Sequence, residues 1–171
     1  WLAYAQFRGG DLEGGFAMAA RAAELDPANH FPPYFSACIL HMRGDVEHAV
    51  SLFQRAASLA PAFGFAWVGL GNAHMDHGQF EEAMWSFERA IELERSGLQS
   101  TAGAAGFLGE CLRRQGRLEE ARASCIAGVD AAEASDNMYR DTLRAISFNV
   151  LGRTALDQGD RADAVGVARD G

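Results

Sequence analysis

Cysteine is scarce in this sequence: Cys38, Cys111 and Cys125 are an odd count, and no two of them stand in CxxC spacing. That suggests neither a disulfide framework nor a zinc knuckle, and reduced, buried thiols in a cytoplasmic setting are expected. No apolar run approaches the ~20 residues of a membrane span, and no N-x-S/T acceptor occurs. Positive charge falls short of negative, with 15 Lys+Arg against 23 Asp+Glu and a formal net charge of -8. That balance repels nucleic-acid phosphates and anionic lipid, so a soluble chain with neither nucleic acid nor membrane as partner is expected.

Catalytic patterns are lacking as well. There is no G-x-S-x-G elbow, no P-loop and no H-E-x-x-H zinc helix, so no enzyme activity and no cofactor are expected. Gly69-Leu70-Gly71 resembles the start of a dinucleotide loop, but it lies inside a helical pattern with no strand before it. His74 and His77, or Cys38 and His41, could each share one helix face and meet a metal. No third ligand is assignable to either pair, and no metal site is expected.

What is present is a chain that can build a core, 171 residues at 49% hydrophobic and 22% charged. It also repeats itself. Gly10, Gly44, Gly78, Gly116 and Gly159 each sit between two stretches of helical periodicity, at spacings of 34, 34, 38 and 43. A glycine there supplies the positive-φ turn that ends one amphipathic helix before a second begins. Small residues follow each turn at helical spacing around a large one, as in Ala49-Phe53-Ala56 and Ala83-Phe87-Ala90. Small side chains let two helix axes approach, and the phenylalanine fills the gap that remains. Pro27 and Pro61 stop the second helices of their hairpins.

These residues resemble the tetratricopeptide repeat family. The third repeat is nearly complete, with Trp67-x2-Leu70-Gly71-x2-His74, Gly78, Ala83-x3-Phe87 and Ala90. His74 stands in the place of the usual Tyr and Arg95 in that of Pro, while the fourth repeat has Cys125 and Gly128 at the Phe and Ala places. The resemblance implies an all-α fold, a right-handed superhelical solenoid of antiparallel helix hairpins. One solenoid over 1–171 is expected, with repeats at about 1–29, 30–63, 64–97, 102–135 and 138–171. Helices are expected at 2–8, 12–25, 31–42, 45–59, 64–76, 80–94, 100–115, 118–134, 138–157 and 160–169. The longer spacings after the third and fourth repeats suggest flanking helices lengthened by a turn or more, as in the family's long-helix variant. Starting at Trp1 and stopping at Gly171 in mid-pattern, the chain reads as part of a longer protein whose open ends would self-associate.

Family membership would also imply a protein-interaction scaffold that holds a peptide or neighbouring domain in a concave groove lined by the first helices. The alternative is a regulatory module of a larger signalling, transcriptional or enzymatic protein, its groove filled intramolecularly. Carried onto this sequence, the lining takes Tyr4 and Phe7 from the first repeat, then Phe31, Tyr34, Cys38 and His41 from the second. Phe65, Val68, Asn72 and Met75 follow from the third. Glu110, Arg113 and Arg114 come from the fourth, and Asn149 and Arg153 from the fifth. Aromatics and Met suit an apolar anchor, and the arginines suit a carboxylate or phosphate. Gly103 and Gly106 would leave a gap between them. The carboxylate clamp of some family members needs lysines, and this chain has none.

Overall fold

The computed structural model describes residues 11–97, 103–134, 140–160, 163–164 and 166–167. Eight helices lie among them: α1 Leu12–Leu25, α2 Phe31–Met42, α3 Val46–Leu59, α4 Gly64–Asp76, α5 Phe80–Arg95, α6 Ala104–Arg114, α7 Leu118–Glu133 and α8 Arg140–Asp157. No strand occurs among the described residues, and 163–164 and 166–167 are helical. The expected helix over 2–8 lies outside them. Two compact units divide the chain, Trp1–Gln79 and Phe80–Gly171.

Turn chemistry sets the hairpins. Gly44, Gly78, Gly116 and Gly159 all hold φ between 76° and 82°. In each turn the glycine N–H donates three residues back and the next N–H five back, as Gly44 to His41 and Asp45 to Leu40, both at 3.0 Å. This double bond pattern satisfies the last carbonyls of the helix and requires the left-handed residue that glycine accepts without strain. The second helices end differently. Asp26 and Ala60, each directly before a proline, take extended φ of -142° and -139°, so α1 and α3 stop two residues short of Pro27 and Pro61.

In unit 1, α2 packs on α1, α3 and α4, and α3 packs on α4. Its core joins Ala37, Ala49, Phe53, Leu70 and Ala73. A Cβ at Gly69 would lie 2.4 Å from the Phe53 ring, so the glycine is what lets α4 close on α3 around that side chain. Unit 2 repeats the plan, with α6 on α5, α7 and α8, and α7 on α8. Ala83, Phe87 and Ala90 are fully buried, and the Phe87 and Phe107 rings stack 6.0 Å apart.

The departures at Cys125 and Gly128 each let a neighbouring helix come close. Cys125 is fully buried, and a Cβ at Gly109 would meet its Sγ at 2.3 Å. A Cβ at Gly128 would meet Ser147 Oγ at 2.6 Å, so α8 comes close where an alanine would hold it off. The lengthening is only partly as expected. The second helices α5 and α7 have 16 residues against 14 in α1 and α3, and α8 has 18. However, α6 has 11 and begins at Ala104 rather than 100, because Gly103 at φ 101° breaks the helix.

Candidate functional site

Unit 1 brings the expected aromatic residues together at the amino ends of α2 and α4. Phe63, the residue that opens α4, is the hub: its ring lies 4.6 Å from His30, 5.3 Å from Phe31, 5.0 Å from Tyr34 and 5.8 Å from Phe65. Such pairs add about 0.5–1.5 kcal/mol each beyond area burial. Phe63 is only 8% exposed, whereas Phe31 and Phe65 present 45% and 41% of their surface to solvent. The cluster therefore holds two rings outward on a packed base. His30 and Phe63 were not anticipated from sequence, because 60–63 reads as a loop after Pro61; an apolar residue at a helix start was the available signal.

The rest of the expected lining in this unit divides by burial. Tyr34 packs against the core around Phe53 and against a second cluster of Ala56, Ala57, Phe63 and Ala66, and is as much core as surface. Val68 and Asn72 are half-buried, and Met75 is buried. Burial pushes the Cys38 thiol up to about 11 against the lowering effect of a hydrogen bond with Tyr34, so it is no nucleophile at neutral pH. Burial also raises Cys111 to about 11 and Cys125 to about 12. His41 Nε2 lies 3.0 Å from Asp76 Oδ2, tying α2 to α4.

Unit 2 has a different centre. Glu110 on α6 is 6% exposed. It accepts hydrogen bonds from Arg113 Nε at 2.9 Å and Nη2 at 3.0 Å, and from Arg114 Nε at 2.9 Å. Arg153 Nη1 on α8 lies 3.3 Å from the same carboxylate, and Arg113 also bonds Asp157. Burial would raise the Glu110 pKa, but the bonds from Arg113 and Arg114 and the charges of Arg113 and Arg153 together hold it below its usual value. Hydrogen bonding to Glu110 in turn raises Arg113. Asn149 is exposed beside this network on α8. The arginines thus meet carboxylates of their own unit, a feature that a first-helix stripe in sequence cannot reveal.

Gly103 and Gly106 leave no gap. Leu143 approaches within 3.1 Å of a Cβ built at Gly103, and Ser147 Oγ and Ile146 within 2.9 and 3.1 Å of one at Gly106. Helix α8 fills the space expected for a ligand backbone. His74 is buried, 2.7 Å from Gln79 Oε1. Among the described residues no three His, Cys, Asp or Glu side chains group as a metal site. Nor is any helix among them long and apolar enough to cross a membrane. Tyr4 and Phe7 lie outside the described residues.

Hairpins closed by left-handed glycines, packed through small residues, with a variable outward stripe on the first helices, define a helical-repeat protein. Family comparison agrees: the tetratricopeptide repeat pattern matches residues 37–97 and 68–136, and a second pattern of the same description matches 149–170. The chain belongs to the tetratricopeptide repeat family. A small glutamine-rich tetratricopeptide repeat-containing protein 2 from Mycosarcoma maydis is 30% identical over 97 residues, taking in 49% of this chain and 27% of that protein. The chain thus spans about a quarter of that relative's length. Among solved structures, MamA 41-end from Desulfovibrio magneticus RS-1 superposes with a TM-score of 0.75 at 18% identity, covering 98% of this chain and 88% of that one. YrrB, described as a TPR protein with an unusual peptide-binding site, gives 0.67 at 22% identity, covering 96% and 78%.

Proposed function

We propose that this chain is a non-enzymatic scaffold that binds a protein or peptide segment, with the first-helix face of unit 1 as the anchor site. The carrying observation is that Phe31 and Phe65 stand 45% and 41% exposed on an aromatic base built from Phe63, His30 and Tyr34. Exposed aromatics that are already ordered lose little entropy on binding, and interfaces concentrate their energy in such anchors. Cys38, His41, Val68 and Asn72 complete the face over the buried Met75, and the partner's matching side chains are apolar. Peptide binding by the similar fold of YrrB supports this reading.

On the unit 2 face, Glu110, Arg113, Arg114, Asn149 and Arg153 form the second contact surface of this proposal. Three guanidinium groups there answer two carboxylates, Glu110 and Asp157. An acidic partner group must compete with Glu110, so this surface favours encounter more than residence. A net charge of -8 disfavours nucleic acid and anionic membrane, and free cysteines accord with a cytoplasmic location.

The test is selection of phage-displayed random peptides on the chain, followed by fluorescence anisotropy with Phe31→Ala/Phe65→Ala. Recovered peptides are expected to carry apolar anchors and to lose at least about tenfold in affinity, roughly 1.4 kcal/mol. Equal affinity for the double variant, with its circular dichroism intact, contradicts the assignment.

A further inference from the structure

On the side of α6 away from Glu110, unit 2 carries an elongated cavity of about 1030 Å³. Its walls are the second helices α5 and α7, and its floor is α6. The α5 wall is Glu81, Met84, Glu88, Ile91 and Arg95, an i, i+3, i+4 series that keeps one helix face on the cavity for four turns. At 1.5 Å per residue the wall is roughly 21 Å long. The α7 wall presents Ala123, Ala127, Ala131 and Ala134, and the floor Ala105, Leu108 and Leu112. Ser124, also on this wall, has its hydroxyl committed to the Ala105 carbonyl at 2.8 Å, which leaves the surface around it apolar.

The rim is charged with one sign in excess. Glu81, Glu88, Glu94 and Glu120 line it against Arg95 and Arg117, and Arg117 is already paired with Glu120 at 2.7 Å. Arg117 also reaches Met84 Sδ at 3.4 Å and closes the end of the cavity near the Gly116 turn. An apolar trough of four turns, walled on one side by alanines and edged, among the described residues, by four carboxylates against two guanidinium groups, matches one kind of occupant. Alanines admit close approach of a helix axis, a stripe of medium apolar side chains fills the floor, and basic flanks meet the glutamates.

We infer that this trough is a docking site for an amphipathic helix of about 14 residues with arginine or lysine flanking its apolar stripe, separate from the first-helix faces assigned above. The length follows from the 21 Å wall. A second copy of the chain is disfavoured, since each carries a net charge of -8.

The probe is a synthetic 14-residue peptide with leucines at i, i+3, i+4, i+7 and i+11, arginines on both flanks, and an internal cross-link to hold it helical. Its control replaces every arginine with glutamate. Anisotropy with the whole chain is expected to show saturable binding of the basic peptide, weakened at least about tenfold by added salt and absent for the acidic control. Ala127→Trp, which fills the trough, is expected to abolish it. Glu88→Arg, an exposed change that leaves the core untouched, is expected to weaken it at least about fivefold. Phe31→Ala/Phe65→Ala is expected to leave it unchanged, so failure of either site is read separately. No saturable binding, equal binding of both peptides, or indifference to Glu88→Arg and Ala127→Trp overturns the inference. So does concentration-dependent dimerisation that Ala127→Trp removes, because the occupant is then a second copy.

Discussion

The two units use one packing plan and put different chemistry on the first helices. In unit 1, α2 and α4 turn Phe31 and Phe65 outward from a base of packed rings. In unit 2, α6 and α8 fold Arg113, Arg114 and Arg153 onto Glu110. The alanines and glycines that let helices meet are shared by both units, and they constrain the backbone without constraining the exposed stripe. One surface is apolar and open. The other is charged but largely answered from within, so it is less available to a ligand than its count of arginines suggests.

The comparison breaks most sharply where each unit's network has its centre. Phe53, 1% exposed and wedged against Gly69, is expected to cost about 3–5 kcal/mol on replacement by Ala. Chemical denaturation with a signal from unit 1 reads it. In unit 2, Glu110→Ala removes the carboxylate shared by Arg113, Arg114 and Arg153, leaving Arg113 with Asp157, and is expected to cost about 3 kcal/mol at neutral pH, near the lower end for breaking a buried pair.

The acid response gives the second test its sign. Glu110's pKa is lowered in the folded chain from an ordinary 4.5. Its contribution is therefore present above about pH 4.5 and is lost as pH falls through the folded value. Denaturant melts of parent and Glu110→Ala are expected to differ fully at pH 7 and converge in acid; a gap independent of pH would remove the ion-pair account.

The surface residues sharpen the contrast with smaller effects. Tyr34→Ala is expected to cost about 2 kcal/mol, because the ring packs on both core clusters of unit 1. Phe31→Ala is expected to cost well under that, and the ratio of the two in thermal melts tests which rings are base and which are display. Arg113→Glu would set a third carboxylate beside Glu110 and Asp157, so it cannot serve as a neutral surface change; Arg114→Ala is the milder probe. His41→Ala is expected to cost about 0.5–1.5 kcal/mol, the worth of one hydrogen bond, since its half-buried ring meets Asp76.

Much of the fold was legible because its determinants are local. Gly44, Gly78, Gly116 and Gly159 each mark a turn through their own φ, and Ala49, Ala83 and Phe87 mark a buried face by spacing alone. Helical spacing places the start of α6 at 100, whereas the left-handed φ of Gly103 starts it at Ala104. The hub role of Phe63 and the pairing of Glu110 with Arg153 were hidden for another reason. Phe63 gathers rings from α2, and Arg153 lies on α8, so both depend on how helices meet within a unit. Sequence spacing locates a stripe but does not say which of its members already satisfy one another.

The measurement that bears most directly on the contrast is calorimetric titration of a selected peptide against three folded proteins: the parent, Phe31→Ala/Phe65→Ala, and Arg114→Ala. The aromatic pair is expected to weaken binding at least about tenfold, or roughly 1.4 kcal/mol. Arg114→Ala should change it less than about threefold. The account is contradicted if the aromatic variant binds like the parent while Arg114→Ala does not, for the charged face would then be the anchor and the exposed rings mere surface.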